Sequence, residues 1–268
     1  MLIRMLAIDL DGTLLDSNRQ IPKRHRESIG RALGQGWIVV LASGRSVAGV
    51  KPFADELGLD GPFLCANGAH VVLTGGRELL HVPLGAKALR TVHEYARREG
   101  LHMNVYAREH LYFARETAWG AEYLRRALHL VPVAIPHGGL GGLEATKAML
   151  VGDADEMEQH QSALRRRLSN GQAAIVRSEP EYLEFLAPSV NKGWALARLA
   201  SALGVARSEV ASIGDSYNDV EMLRWSAVSA VVSSAAKPIR DAGYRVMPSN
   251  DEAGVADFVD ALIADKEQ

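Results

Sequence analysis

The chain contains 268 residues, of which 47% are hydrophobic and 23% are charged, and its formal net charge is −2. These proportions are typical of globular proteins, and the length suits one large domain or two domains of roughly 100–200 residues each. A net charge this close to zero gives no reason to expect nucleic acid or an anionic membrane surface as the main partner.

No segment indicates export or membrane insertion. Asp9 and Asp11 interrupt the first apolar stretch too early for a signal peptide. No uninterrupted apolar run reaches about 18 residues, so no transmembrane helix is expected. The single cysteine, Cys65, cannot form an internal disulfide and is predicted to be a small core residue. We therefore expect a cytoplasmic protein.

Residues 1–83 alternate between apolar strands and amphipathic helices. This order indicates a parallel sheet whose faces are covered by helices. The predicted elements are strands at 5–8, 37–41 and 62–65, helices at 22–33 and 47–57, and a hairpin at 71–82.

The pattern changes between residues 84 and 186, where helices and short strands mix without the earlier alternation. Pro83 and Pro188 lie near the two crossings, as expected for linkers. The predicted helices are at 86–98, 119–128 and 155–168, and the predicted strands are at 102–106, 111–113, 147–151, 173–176 and 182–185.

The first alternation then resumes, with helices predicted at 192–203, 219–225 and 253–263 and strands at 210–213, 227–232 and 245–247. The predicted fold class is therefore α/β. Residues 1–83 and 187–268 form a Rossmann-like core with a parallel sheet and helices on both faces. Residues 84–186 form an inserted mixed α+β domain.

Two carboxylates one residue apart, Asp9 and Asp11, come directly after the first strand. Ligands of open parallel sheets bind beyond the carboxyl ends of the strands, so Asp9 is placed for chemistry. A carboxylate there can attack a phosphoryl group, and the second can protonate the leaving oxygen and then activate water. The alternative is that the pair only forms a turn ahead of Gly12.

Asp215 and Asp219 follow the predicted strand at 210–213 in the same way. Carboxylates clustered beside a phosphate dianion would repel it, so a divalent cation is expected, and hard oxygen ligands favour Mg²⁺. Asp215 could bind the metal directly. Asp219 could ligate or orient a metal-bound water, and it could at the same time serve as a helix N-cap. The neutral Asn218 could hydrogen-bond substrate or phosphate.

Two further clusters could bind phosphate. Ser43 follows the second strand, and its hydroxyl and the backbone N–H groups after it, starting at Gly44, can bind phosphate oxygens. Arg45 could contact substrate or lie on the surface. Lys192 begins a helix, where a cation is unfavourable against the helix dipole, so an anionic partner is expected unless the side chain is simply solvated.

Taken together, these clusters resemble the motifs of haloacid dehalogenase-like hydrolases, specifically the Cof-type phosphatases with a larger α/β cap, and the resemblance covers essentially the whole chain. The matching segments are Asp9-Leu10-Asp11-Gly12-Thr13, Ala42-Ser43-Gly44-Arg45, Asn67-Gly68-Ala69, Asn191-Lys192-Gly193 and the stretch from Gly214 to Leu223.

The resemblance implies a role for each matched residue. It makes Asp9 the nucleophile and Asp11 the acid/base, and it pairs Lys192 with both the phosphate and the nucleophile. It implies that Mg²⁺ is held by the carboxylates of Asp9 and Asp215 and by the backbone carbonyl of Asp11. It also implies that Asn67 lines the active site and that the inserted domain selects the substrate.

One position departs from the pattern of that family. Ser234 stands where the family usually has an asparagine that shapes the loop beside the metal site. The matched catalytic residues are intact, so activity is still expected, with a local change in geometry.

The favoured function is a magnesium-dependent phosphatase that hydrolyses small phosphate monoesters, such as sugar phosphates, through an aspartyl-phosphate. A phosphomutase or phosphotransferase of the same superfamily is the close alternative, and arginine runs such as Arg97-Arg98 and Arg165-Arg166-Arg167 could supply charge for a second phosphate. A receiver-like signalling module is disfavoured, because Asp11 would promote rapid loss of the phosphoryl group.

Overall fold

The computed structural model describes residues 2–126, 131–133, 139–168 and 171–267. The chain divides into two compact units. The core unit consists of Met1–Gly44, Val50–Leu79 and Asn191–Gln268, and the inserted unit consists of Arg45–Gly49 and Leu80–Val190. The sequence predicts an inserted domain at 84–186, and the inserted unit is wider than this at both ends.

The strands in chain order are β1 (Met5–Asp9), β2 (Ile38–Ala42), β3 (Phe63–Cys65), β4 (His70–Val72), β5 (Glu78–His81), β6 (His102–Ala107), β7 (His110–Phe113), β8 (Pro132–Val133), β9 (Lys147–Val151), β10 (Ala174–Glu179), β11 (Tyr182–Leu186), β12 (Val210–Gly214), β13 (Val228–Val232) and β14 (Arg245–Met247). The helices are α1 (Lys23–Gly34), α2 (Val47–Glu56), α3 (Ala86–Glu99), α4 (Ala118–Arg126), α5 (Met157–Arg167), α6 (Lys192–Ala202), α7 (Val220–Trp225), α8 (Lys237–Arg240) and α9 (Gly254–Glu267).

The core sheet has the strand order β14-β13-β12-β1-β2-β3-β4-β5. Its strands from β14 to β3 pair in parallel, and β4 pairs antiparallel with β3. Every residue of β1 and β12 is buried, which requires both faces of the sheet to be covered. Helix α1 packs against α9, and α6 packs against α7. This arrangement is the predicted α/β core.

The order of the strands reverses between β1 and β12, because the chain proceeds through β2 and β3 on one side and through β13 and β14 on the other. Such a reversal opens a crevice at the carboxyl ends of the strands. Asp9 is paired in register with Ala42, and Ile8 is paired with Ile213. The residues that follow β1, β2 and β12 therefore emerge at the same edge of the sheet.

The inserted unit has its own sheet, with the order β10-β11-β9-β6-β7-β8. The neighbours pair antiparallel, apart from β7 and β8, which are parallel. Helices α3 and α5 pack together against this sheet and enclose an apolar core that includes Met103, Leu150 and Phe185. The predicted mixed α+β segment thus forms a layer of helices on one face of an antiparallel sheet.

Most predicted elements differ from the observed ones by one or two residues. The largest extension is α9, which reaches Glu267 rather than residue 263. Strand β10 reaches Glu179 rather than residue 176, because it continues to pair with β11 past an irregularity at Arg177. Strand β8 was not predicted, since two residues carry no periodicity. The predicted end of the helix at 119–128 lies outside the described residues. Within the described ranges, no helix combines the length and the apolar character needed to cross a bilayer.

The core of the inserted unit makes a direct prediction for stability. Phe185 is fully buried in it. Phe185→Ala is expected to reduce the free energy of unfolding of this unit by about 3–5 kcal/mol, through lost burial and the cavity left behind. Urea denaturation followed by circular dichroism measures the change. Val131→Ala, at an exposed position of the same unit, is the control and should change the midpoint very little. Equal effects of the two substitutions would contradict this packing.

Candidate active site

A buried lysine links two carboxylates at the carboxyl edge of the core sheet. The Nζ atom of Lys192 donates hydrogen bonds to Oδ1 of Asp9 at 2.5 Å and to Oδ1 of Asp219 at 2.6 Å. Lys192 and Asp219 are completely buried, and Asp9 is 5% exposed. The anionic partner expected for a lysine at a helix N-terminus is therefore this pair of carboxylates.

The turn after β1 brings Thr13 to the same edge of the sheet. Gly12 has a φ of +82°, and a Cβ atom at this position would lie 2.7 Å from Oδ2 of Asp215. Glycine meets both the backbone conformation and the close approach. The hydroxyl of Thr13 donates a hydrogen bond to Oδ1 of Asp215 at 2.8 Å. Thr13 was not among the candidate site residues, although it ends the first matched motif.

Asp219 is held by donors on both of its oxygens. Oδ1 accepts from Lys192, and Oδ2 accepts from the backbone N–H groups of Asp215 at 3.1 Å and Ser216 at 3.0 Å. Gly214 leaves room for this side chain, since a Cβ atom there would lie 2.6 Å from Cγ of Asp219. Asp219 thus fixes the loop that carries Asp215 and also fixes the lysine.

Burial and like charge raise the pKa values of two of the carboxyls. Burial raises the pKa of Asp9 well above its usual range, the charges of Asp219 and Asp215 add to this effect, and Lys192 opposes it. Burial, followed by the charge of Asp219, raises the pKa of Asp215 to about 6. Burial acts to lower the pKa of Lys192, but Asp219 and Asp9 outweigh it and raise the pKa above its usual value.

The three carboxylates of Asp9, Asp215 and Asp219 form a group that could hold a metal ion. One oxygen from each lies within 4.8 Å of the others. The donors are all oxygen, and the like charge that raises the pKa of Asp215 is the kind of charge that a hard divalent cation offsets. The residues therefore fit Mg²⁺. Among the described residues, Asp11 is not in this carboxylate group; its side chain is exposed, and the family resemblance assigns its backbone carbonyl to the metal.

Asn67 and Asn218 meet beside the same edge. Asn67 is buried with a φ of +55°, and its backbone N–H donates to the carbonyl of Ser43 at 3.0 Å. Nδ2 of Asn218 donates to Oδ1 of Asn67 at 3.0 Å. A Cβ atom at Gly44 would lie 3.3 Å from Oδ1 of Asn67. Four of the predicted phosphate-binding residues are thus connected through the Asn67 side chain and backbone.

Close backbone packing sets the start of α6. A Cβ atom at Gly68 would lie 2.6 Å from the carbonyl oxygen of Asn191, and a Cβ atom at Gly193 would lie 2.3 Å from the carbonyl oxygen of Glu221. Asn191 caps the helix, with Oδ1 accepting from the backbone N–H of Trp194 at 2.8 Å. The two glycines and this cap place Lys192 at the first position of the helix.

Arg45 is the predicted site residue that the structure assigns to the inserted unit. Its Nη1 atom donates to the carbonyl of Gly49 at 3.5 Å, within the short segment of that unit that follows Gly44. A role for Arg45 in binding substrate remains a prediction.

Ser234, which replaces the asparagine usual in the resembling family, takes part in a hydrogen-bonded chain. Its hydroxyl donates to Oδ1 of Asn250 at 3.0 Å, and Nδ2 of Asn250 donates to the carbonyl of Leu15 at 2.8 Å. Leu15 directly follows the turn that carries Asp11 and Gly12. Ser234 is therefore tied, through Asn250, to the segment after the first motif.

Comparison with known proteins identifies the family. The family model for haloacid dehalogenase-like hydrolases matches residues 6–259. The chain belongs to this family.

Similar proteins cover almost the entire chain. A 5-amino-6-(5-phospho-D-ribitylamino)uracil phosphatase, YwtE of Bacillus subtilis, is 28% identical, with 98% of this chain and 99% of that protein aligned. A putative phosphatase of Streptococcus pyogenes serotype M6, M6_Spy0533, is 30% identical over 96% of this chain and 97% of that protein. The crystal structure of a haloacid dehalogenase-like hydrolase from Bacteroides thetaiotaomicron superimposes with a TM-score of 0.87 at 28% identity, covering 97% of this chain and 99% of that one.

The relatives and the family together make the chain a phosphoric monoester hydrolase that acts on small phosphate substrates. The predicted family, fold class and enzyme class are confirmed.

The raised pKa of Asp215 gives a prediction for the metal-free protein. A carboxyl whose pKa is higher in the folded state, about 6 against an ordinary value of 3.8, favours folding when protonated. Stability should therefore fall as pH rises from about 4 to about 6. Asp215→Asn removes this charge and should raise Tm in EDTA by about 5 °C at pH 7.5, with a smaller gain at pH 4.5. Asp265→Asn, at an exposed carboxylate, is the control; an Asp215→Asn protein less stable than wild type at pH 7.5 would contradict the prediction.

Proposed function

We propose that the enzyme is a magnesium-dependent phosphatase that works through an aspartyl-phosphate formed on Asp9. The observation that carries this proposal is the buried network in which Lys192 binds both Asp9 and Asp219 beside Asp215. A carboxylate that is buried, oriented and charge-balanced at the carboxyl edge of a parallel sheet is suited to attack phosphorus.

Lys192 orients the nucleophile. It engages Oδ1 of Asp9, which fixes the carboxylate and reduces its repulsion of a phosphate dianion. Since Asp219 and Asp9 raise the pKa of Lys192, the ammonium keeps its charge throughout the working pH range. Asp219 contacts the lysine and the Asp215 loop, so we assign it a positioning role.

The proposed reaction has two steps. In the first, a carboxylate oxygen of Asp9 attacks phosphorus, the bond from phosphorus to the ester oxygen breaks, and Asp11 donates a proton to that oxygen. In the second, the Asp11 carboxylate takes a proton from water, the water oxygen attacks phosphorus, and the bond to Asp9 breaks to release inorganic phosphate. Asp11 is exposed, as a group that exchanges protons with water and substrate needs to be.

The carboxylates of Asp9 and Asp215, with the backbone carbonyl of Asp11, would hold Mg²⁺. Asp219 would not bind the metal directly but would contact Lys192 and the loop that carries Asp215. When bound, the cation would offset the negative charge of the carboxylates and of the phosphate. The hydroxyl of Thr13 would keep Asp215 oriented, because it already donates to Oδ1.

Ser43, Gly44, Asn67 and Asn218 would bind the phosphate oxygens, with Arg45 contributing charge. This assignment is supported by the hydrogen bonds that connect Ser43, Asn67 and Asn218 and by the close approach of Gly44 to the Asn67 side chain. Oδ1 of Asn218 is buried and has no partner within the described part of the chain, which leaves an acceptor for a hydroxyl or N–H donor of a ligand.

Sugar phosphates or related phosphorylated metabolites are the proposed substrates. The similar Bacillus subtilis protein is named for a phosphoribityl compound, in which the phosphate is carried by a polyhydroxylated chain. The inserted unit is proposed to select among such substrates.

Asp9→Asn is expected to lower kcat by at least about 1,000-fold on p-nitrophenyl phosphate, because an amide cannot form the acyl phosphate. Quenching the wild-type reaction and measuring intact mass should show a phosphoryl adduct that is absent from the variant. Asp241→Asn, at an exposed aspartate of the core unit paired with Lys237, is the control and should retain activity. Activity of Asp9→Asn within tenfold of wild type would remove Asp9 as the nucleophile.

Removal of divalent cations with EDTA is expected to abolish turnover, and added Mg²⁺ should restore it. Ca²⁺ should restore much less, since it prefers more ligands at longer distances and would disturb the in-line geometry. The steady-state rate on p-nitrophenyl phosphate is measured across a titration of each cation. Full activity after exhaustive chelation would contradict the assigned metal requirement.

A further inference from the structure

Asp11, the proposed acid/base, lies in a turn whose two ends are held in different ways. The turn comprises Leu10–Leu14 and directly follows β1, which is buried and pairs with β2 and β12 on its two sides. At the other end, Nδ1 of His25 on α1 donates to the carbonyl of Leu14 at 2.9 Å. The place of Asp11 therefore depends on the segment that leaves the turn as well as on the strand that enters it.

The segment that leaves the turn is also held by two consecutive side chains from near the end of the chain. Nδ2 of Asn250 donates to the carbonyl of Leu15 at 2.8 Å. Oδ1 of Asp251 accepts from the backbone N–H of Ser17 at 2.8 Å. More than 230 residues separate the partners in each of these hydrogen bonds, so they are tertiary contacts that fix one short segment of backbone.

The loop that supplies these side chains, residues 248–254 between β14 and α9, has a backbone that few residues permit. A Cβ atom at Gly254 would lie 1.9 Å from the carbonyl oxygen of Pro248, so only glycine fits there. Ala253 has a φ of +69°, in the left-handed region that residues with a Cβ atom rarely adopt. This tightly closed loop directs Asn250 toward the segment after the catalytic turn.

Both ends of the Asn250 amide are engaged. The carbonyl of Leu15 can only accept, so the Nδ2 side of the amide faces it, and Oδ1 accepts from the hydroxyl of Ser234 at 3.0 Å. Asn250 is 8% exposed, and Ser234 follows β13, which pairs with β12, the strand that leads to Asp215. The two hydrogen bonds fix the amide in one orientation and connect the segments that follow β1 and β13.

We propose that Asn250 is a positioning residue for general acid catalysis. By holding the carbonyl of Leu15, it keeps the turn in the conformation that brings the Asp11 carboxyl to the leaving oxygen. Ser234 in turn holds Asn250. This inference rests on the proposed function, in which Asp11 protonates the leaving oxygen.

Loss of this contact should impair proton donation more than nucleophilic attack. Asp9 lies in β1 and keeps its place through pairing on both sides of the strand. Asp11 lies beyond the strand, and a misplacement of about 1 Å can cost a reacting group on the order of 100-fold in rate. The effect of Asn250 on a substrate should therefore depend on how strongly its leaving group needs a proton.

The test measures kcat/KM at saturating Mg²⁺ on p-nitrophenyl, phenyl and hexyl phosphate, whose leaving groups are increasingly basic. This parameter covers the steps up to release of the alcohol, so slow breakdown of the aspartyl-phosphate does not mask the effect. Asn250→Ala is expected to lower kcat/KM about threefold on p-nitrophenyl phosphate and about 30-fold on hexyl phosphate, with phenyl phosphate between them.

Ser226→Ala is the matched control, because it also removes a buried hydrogen bond from a side chain to a backbone carbonyl of the core unit, that of Met222 at 3.0 Å. It should lower Tm comparably and change the three rates by one common factor. Ser234→Ala keeps the test decisive if Asn250→Ala does not fold. It should lower kcat/KM about fivefold on hexyl phosphate and leave p-nitrophenyl phosphate unchanged.

A double-mutant cycle with Asp11→Asn separates positioning from a general structural effect. Once the acid is gone, adding Asn250→Ala should cost less than about twofold more on hexyl phosphate. Equal losses on the three esters in both the Asn250 and the Ser234 variant, or a full further loss in the Asp11→Asn background, would overturn this inference alone. If Asp11→Asn itself loses the three esters equally, the acid role of Asp11 in the proposed function is contradicted instead.

Discussion

The core of this site depends on the positive charge of one buried lysine, Lys192. Three carboxylates gather at the edge of the core sheet, and two of them share Nζ of Lys192. Without that charge, mutual repulsion and desolvation would keep these groups protonated or apart. Lys192 acts to lower the pKa of Asp9 against the effects of burial and of the charges of Asp219 and Asp215, and so favours the charged carboxylate that the proposed phosphoryl acceptor requires.

The geometry around the lysine is reached through backbone packing rather than through long side chains. Gly12, Gly68, Gly193 and Gly214 each lie where a Cβ atom would come within 2.7 Å of a neighbouring atom. The contact of Gly12 with Asp215 joins segments about 200 residues apart in the chain, as does the hydrogen bond from Thr13 to Asp215. Parallel pairing of β1 with β2 and β12 brings the ends of these strands to the same edge of the sheet. The glycines then allow the backbone to pack closely against neighbouring atoms.

The two units carry different kinds of chemistry. The polar groups of the core unit are carboxylates, a lysine, amides and a hydroxyl, which suit a metal and a phosphoryl group. The inserted unit places Tyr106 and the ion pair between Lys147 and Glu184 on the face of its sheet opposite its apolar core, since their neighbours along each strand contribute to that core. Residues on that face are not needed to fill the apolar core of the inserted unit, so they can vary without changing the reaction centre of the core unit.

The sequence by itself determined the order of the elements, the α/β class and the residues of the four motifs. Apolar strands and amphipathic helices can be predicted from local periodicity. Asp9, Ser43, Lys192 and Asp215 each lie at the end of a strand or the start of a helix, where ligands of parallel sheets bind. The sequence also predicted that Asp9 and Asp11 act as a pair, because only one residue separates them in a single local turn.

Tertiary structure alone decided which groups meet. Lys147 and Glu184 are separated by 37 residues and have no local signature, and only antiparallel pairing through β9 and β11 brings them together. Arg45 adjoins the phosphate motif in the sequence, yet its contacts assign it to the inserted unit. Local periodicity records whether a side chain is buried, but the register between distant strands sets its partner, and that register follows from the packing of the whole sheet.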